Sequence, residues 1–218
     1  RLSLGQIYYF DDRFVSLDGS SDSTEESALA LQLSGQISEN WRLSSHLLYS
    51  EDEGEINKGS FSANYHDIDE RLFNLSYRYT RKADTLDTGD IDGDGITQEL
   101  ITRDIDQVDM SASWPLWQNQ ANAWNLVARH HYDFTYEREL ETLAGLEYKS
   151  CCYELRLVAR RWLDNDLINS NPELALELDY DQGIFFEFEL IGLGGSGDRV
   201  RTTLREGIRG YGTRKTRR

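Results

Sequence analysis

Trp124-Asn125-Leu126-Val127-Ala128-Arg129-His130-His131-Tyr132-Asp133-Phe134 reads as a strand with two unlike faces. Side chains alternate across a strand, so Trp124, Leu126, Ala128, Tyr132 and Phe134 share one side and Asn125, Arg129 and Asp133 the other. A run of about ten residues with that alternation has the length of a tilted strand crossing a bilayer. A helix would need its apolar residues three and four apart, and this stretch does not have them.

The same pattern extends in both directions. Trp41–Ser50, Gly59–His66, Arg71–Thr80, Asp106–Leu116, Leu140–Lys149, Tyr153–Trp162 and Gly183–Gly194 each set an apolar face against a more polar one. Arg1–Phe10 and Ala28–Ile37 precede them, giving about ten strands with no helical pattern between them. The expected fold is all-β, an antiparallel meander forming a segment of a transmembrane β-barrel. Loop length supports it. The long connections, Asp11–Glu26, Arg81–Arg103 and Leu163–Gln182, follow odd strands, whereas even strands end in short turns such as Asp67–Glu70. Outer-membrane barrels separate long extracellular loops from short periplasmic turns in this way. Trp41, Trp114, Trp124, Tyr148 and Tyr153 would then form an aromatic girdle at the periplasmic interface, with Tyr49, Tyr79 and Phe134 at the outer one.

The formal net charge is −16 and mean hydropathy is −0.63. No stretch approaches the roughly 20 apolar residues of a membrane helix. Strands escape that test, because only alternate residues face lipid. The acidic balance argues against a nucleic-acid partner, which needs a basic footprint. No leader segment is visible; the chain opens directly on a strand and reads as a piece of something longer. The expected division is residues 1–195 as barrel strands and 196–218 as a periplasmic C-terminal tail.

Cys151-Cys152 is the most specific local feature, and the sequence holds no other cysteine. Adjacent cysteines rarely bridge each other, because disulfide geometry is hard to reach across one peptide bond. A periplasmic turn lies in an oxidising compartment, so both should pair outside this segment. Two free thiols or a strained vicinal bridge are the alternatives, and two thiolates alone make only half a metal site. Asp90-Ile91-Asp92-Gly93-Asp94-Gly95 resembles the start of a calcium loop through Asp90, Asp92 and Asp94. Ile101 stands where an EF-hand places its bidentate Glu, so a solvated acidic loop is the expected reading. His130 and His131 point to opposite faces and cannot share a metal. The inward face mixes Arg42, Arg78, Arg129, Arg156 and Arg160 with Asp133, Glu141, Glu147, Glu154, Glu187 and Glu189. No catalytic constellation and no cofactor fingerprint is legible, so the expectation is a non-enzyme.

Leu143-Ala144-Gly145-Leu146-Glu147-Tyr148-Lys149-Ser150-Cys151-Cys152-Tyr153-Glu154-Leu155-Arg156-Leu157-Val158-Ala159-Arg160-Arg161 resembles the signature stretch of the LptD, or organic solvent tolerance, family. Leu4–Phe10, Ile105–Leu116 with its Ser113-Trp114-Pro115-Leu116 ending, and Glu189–Tyr211 add to the resemblance. Family members are longer, with an N-terminal periplasmic domain and a barrel of about 26 strands. The resemblance implies a lipopolysaccharide translocon in the Gram-negative outer membrane, delivering lipid to the outer leaflet. It implies a lateral seam in which the last strand takes part, through Gly183, Ile184, Phe186, Phe188, Leu190, Gly192 and Gly194. It further implies that Cys151 and Cys152 bridge to cysteines of the N-terminal domain. The implied partners are lipopolysaccharide, the lipoprotein plug LptE, the remainder of the protein, outer-membrane lipids and, during folding, the barrel-assembly machinery. A generic porin-like barrel and a soluble β-sandwich binding module are the other readings the residues allow.

Overall fold

A computed structural model describes residues 1–8, 10, 27–87, 100–119, 121–163, 180–191, 194–195 and 199–212. Its strands are β1 (Leu2–Gly5), β2 (Leu29–Gln36), β3 (Trp41–Ser50), β4 (Glu55–His66), β5 (Leu72–Asp87) and β6 (Leu100–Gln118). They continue with β7 (Ala123–Asp133), β8 (Arg138–Lys149), β9 (Tyr153–Leu163), β10 (Tyr180–Leu190) and β11 (Gly194–Gly195), followed by the helix α1 (Arg199–Gly207). The strands lie in one sheet in chain order. Every neighbouring pair is antiparallel. The chain is thus an all-β antiparallel meander of barrel type, here an open sheet rather than a closed ring. A sandwich would need two stacked sheets.

The register carries the alternation from strand to strand. Leu126 lies opposite Trp114 and Leu146, Leu146 opposite Leu157, and Leu157 opposite Phe186. All of these side chains stay exposed on one face of the sheet, with Phe186 at 66% and Ile184 at 77%. This outer face exposes many large apolar side chains on neighbouring strands, more than a water-soluble monomer ordinarily leaves uncovered. The inner face holds Asp133, Glu141, Glu147, Arg156 and Glu187, all buried.

Short polar side chains close the turns. Asp67 accepts backbone hydrogen bonds from Asp69 N at 3.0 Å and Arg71 N at 2.9 Å, tightening the β4–β5 connection. Asn119 accepts from Ala121 N and Asn122 N between β6 and β7, and Ser38 accepts from Trp41 N between β2 and β3. Asp and Asn act this way because their short side chains imitate a turn of backbone.

Several boundaries differ from the sequence expectation, among them the early end of β1 at Gly5 and the early starts of β4 at Glu55 and β10 at Tyr180. β5 runs on to Asp87 and β6 starts at Leu100, so strand pairing enters both ends of the expected loop Arg81–Arg103, after a register shift between Thr80 and Asp84. Backbone pairing needs no apolar alternation, so it outlasts the pattern. β6 also extends past Leu116 to Gln118, through an irregularity between Pro115 and Trp117 that accommodates a residue without an N–H. The last strand ends at Leu190. Gly194 therefore does not continue it: β11 turns back to pair with Leu190 and Glu189.

Residues 199–212 were expected to belong to a terminal tail. Within that segment α1 lies on the inner face, with Val200, Leu204 and Ile208 packed on Val127, Leu143 and Val158 from β7, β8 and β9. Leu204 and Ile208 are fully buried. Each such side chain contributes about 1.5–3 kcal/mol relative to exposure, enough to dock a short helix that would be unstable alone.

Candidate functional site on the inner face and last strand

Arg156 is the hub of the inner face. Its guanidinium pairs with Glu187 and Glu154, meets Glu189 at 3.1 Å, and reaches Glu147 at 3.3 Å from Nε. These carboxylates come from β8, β9 and β10, which alternation and pairing bring side by side. A second group forms one level along, where Arg129 binds Asp109 at 2.7 Å and also pairs with Glu141, and Glu141 accepts from Arg160 at 2.5 Å. Buried charges survive only when paired and hydrogen-bonded, and here each partner sits on the same strand or an adjacent one.

The helix joins this network. Glu187 Oε2 accepts the backbone N–H groups of Val200 at 3.0 Å and Arg201 at 3.2 Å. A carboxylate at a helix N-terminus satisfies unpaired donors and faces the positive end of the dipole. Arg201 returns to the same strand through Glu189 at 3.1 Å. The Tyr211 hydroxyl donates to Glu147. Burial, and then the Glu147 carboxylate, push the Tyr211 phenol far above its ordinary range.

The residues expected at the lateral strand are placed as follows. Gly183, Ile184, Phe186, Phe188 and Leu190 lie in β10, and Ile184, Phe186, Phe188 and Leu190 share the outer face. Gly194 is in β11, and Gly192 lies outside the described residues. β11 covers only Glu189 and Leu190 on the free side of β10.

Cys151 and Cys152 are exposed thiols in the β8–β9 turn, with their sulfurs 2.7 Å apart. A hydrogen bond from Cys152 lowers the Cys151 thiol below its ordinary range, and the same contact raises Cys152. Asp90, Asp92 and Asp94 lie outside the described residues. His130 Nδ1 is 2.7 Å from Thr142 Oγ1.

The aromatics named for the girdle at this end of the sheet touch one another. The Trp41 ring meets Tyr65 at a tilt, with centroids 5.1 Å apart, and Tyr65 lies stacked 6.4 Å from Trp114. Trp124, Tyr148, Tyr153 and Phe188 form a second chain of ring contacts at 4.9 to 6.1 Å.

The model of the family LPS transport system D, LptD, matches residues 1–120. The chain belongs to the LptD family. It is 39% identical to the LPS-assembly protein LptD of Saccharophagus degradans, covering 99% of this chain and 24% of that protein. It is 36% identical to the LPS-assembly protein LptD of Ectopseudomonas mendocina, covering 99% of this chain and 25% of that one. The corresponding protein of Shewanella frigidimarina is 32% identical over 97% of the chain. The chain spans about a quarter of the length of these LptD relatives.

The docked helix is the part of this inner face that the strand pattern did not reveal. Two signals pointed to it. Val200, Leu204 and Ile208 recur at four-residue intervals, the spacing of one helix face. Val127, Leu143 and Val158 also interrupt an otherwise polar face on three adjacent strands, marking a seat for something apolar.

Proposed function

We propose that this chain is the C-terminal wall of an outer-membrane barrel that carries lipopolysaccharide to the outer leaflet of a Gram-negative cell. The observation that carries the reading is the segregation of the two faces. A predominantly apolar surface lies outward, from Leu33 on β2 to Phe186 on β10, while the charged network and α1 lie inward. In a bilayer the outer face meets acyl chains and the sheet satisfies its own backbone, which only a barrel can do. The relatives named LPS-assembly proteins supply the substrate class.

In this reading the free edge of β10 meets the first strand of the complete barrel, and the lipid leaves through that seam. The lipoprotein plug LptE occupies the lumen beside α1, and the barrel-assembly machinery inserts the strands. Cys151 and Cys152 tie the turn to an N-terminal periplasmic domain. The work is transport, with no bond made or broken in the lipid.

The test is a cysteine pair that locks β10 to the first barrel strand in the full-length protein. Oxidation should stop the appearance of new lipopolysaccharide at the cell surface, and reductant should restore it. Normal export from the locked protein would remove the seam. Normal export after depletion of the whole protein would remove the transport reading itself.

A further inference from the structure

Most inner-face arginines are spoken for by carboxylates: Arg129 by Asp109 and Glu141, Arg156 by four glutamates, Arg160 by Glu141, and Arg201 by Glu189. Arg42 and Arg209 are different. Both are exposed and, like Arg78, form no ion pair among the described residues. They converge on one inner-face cavity of about 240 Å³ at the short-turn end of the sheet.

The rest of the lining is rich in amides. Gln36, Asn64 and Asn74 line it from β2, β4 and β5, with Glu39 as its acidic residue. Asn74 Nδ2 donates to the Arg209 carbonyl at 3.0 Å, which holds the turn after α1 against the strands and fixes where Arg209 stands. Arg209 and Gly210, which follow the docked α1, complete one side of the cavity. Two unneutralised guanidinium groups favour a doubly charged oxyanion, which they can grip through paired N–H donors. Amides suit the hydroxyl groups of a sugar, because each offers both donors and acceptors.

We propose that this cavity is a binding site for a phosphate monoester, of the kind carried by a phosphorylated sugar headgroup. Arg42 and Arg209 grip the phosphate, and Gln36, Asn64 and Asn74 face the sugar. As a station on a lipid path the site rests on the transport reading, but its chemistry can be tested without transport.

The experiment is calorimetric titration of the full-length protein in detergent with glucose 6-phosphate, and separately with inorganic phosphate and with glucose. Saturable binding of glucose 6-phosphate is expected. R42Q and R209Q should each weaken it about tenfold, the loss of one charge-assisted contact, and the double variant should abolish it. R78Q should leave it unchanged, because Arg78 bonds Gln107 at 2.6 Å on another part of the inner face. Unaltered heat-modifiable migration of each variant would show that the barrel is intact. Equal binding of inorganic phosphate would place recognition on the phosphate alone, whereas tighter binding of the sugar phosphate would assign a headgroup. Absence of saturable binding, or full binding by the double variant, would overturn the site. Neither outcome touches export, which is measured on the wild-type protein.

Discussion

Glu187 on β10 holds the first turn of α1 by accepting the Val200 N–H at 3.0 Å, while its other oxygen pairs with Arg156. One carboxylate thus connects the last full strand, its neighbour β9 and the helix. The helix is an internal brace: its apolar side rests on β7, β8 and β9, and its N-terminus is tied to β10. If the seam at β10 opens, this brace keeps β10 with β9 and leaves the other side of the seam to move.

Replacing Glu187 with Gln retains an acceptor but removes the charge that Arg156 needs. The expected cost is about 1–3 kcal/mol, focused on the docking of α1. Hydrogen exchange on the full-length protein should show faster exchange in residues 199–207 with little change in β3 or β4. Unchanged protection of the helix would mean that its apolar contacts hold it alone.

Gly145 faces the helix seat with no room for a side chain. A Cβ there would stand 2.7 Å from the Leu157 carbonyl oxygen and 2.7 Å from Val158 Cγ2, with Val127 Cγ2 at 3.1 Å. Gly145→Ala should destabilise by about 1–3 kcal/mol, as overpacking of a tight site does. Gly35→Ala meets nothing within 4 Å and should be close to neutral. Thermal loss of heat-modifiable migration compares the two, and equal midpoints would contradict the packing.

The outer face is tested by arginine. Leu126→Arg and Leu157→Arg should each cost about 2–4 kcal/mol where those side chains sit near the bilayer midplane. Asn125→Arg, on the inner face, should cost much less. Glu154, also on the inner face, is a less suitable control, because it pairs with Lys149 at 2.7 Å and with Arg156. Similar losses at Leu126 and Asn125 would show that the wrong face has been assigned to lipid.

Topology follows from turn placement. A single cysteine at Asp52, between β3 and β4, should react with an impermeant maleimide on intact cells. One at Ile68, between β4 and β5, should react only after the outer membrane is permeabilised. The reverse result would invert the orientation.

For the cysteine turn, serine at either Cys151 or Cys152 should be tolerated, and serine at both should impair assembly of the full-length protein. Non-reducing electrophoresis with mapping of linked peptides checks this. The reduced thiols should also differ. Cys151, with the lowered pKa, holds more thiolate at about pH 7.5 and should be alkylated first by iodoacetamide. Equal rates, or faster reaction at Cys152, would contradict the hydrogen-bonded arrangement.

Alternation and turn chemistry are local. Trp124 to Phe134 carries its two faces in its own residue order, and Asp67 shapes its turn through neighbours two and four residues away. The sequence by itself therefore determined the meander, its antiparallel pairing and which side chains share a face within the described strands. It could not determine features whose partners lie far along the chain. Val200, Leu204 and Ile208 are sparse apolar points among arginines, and they acquire a seat only when β7, β8 and β9 bring Val127, Leu143 and Val158 together. The gathering of four glutamates around Arg156, and the convergence of Arg42 and Arg209 on one cavity, are likewise products of register and of the docked helix. Only the tertiary structure decided these, because burial and charge pairing depend on distances between strands rather than on spacing along one.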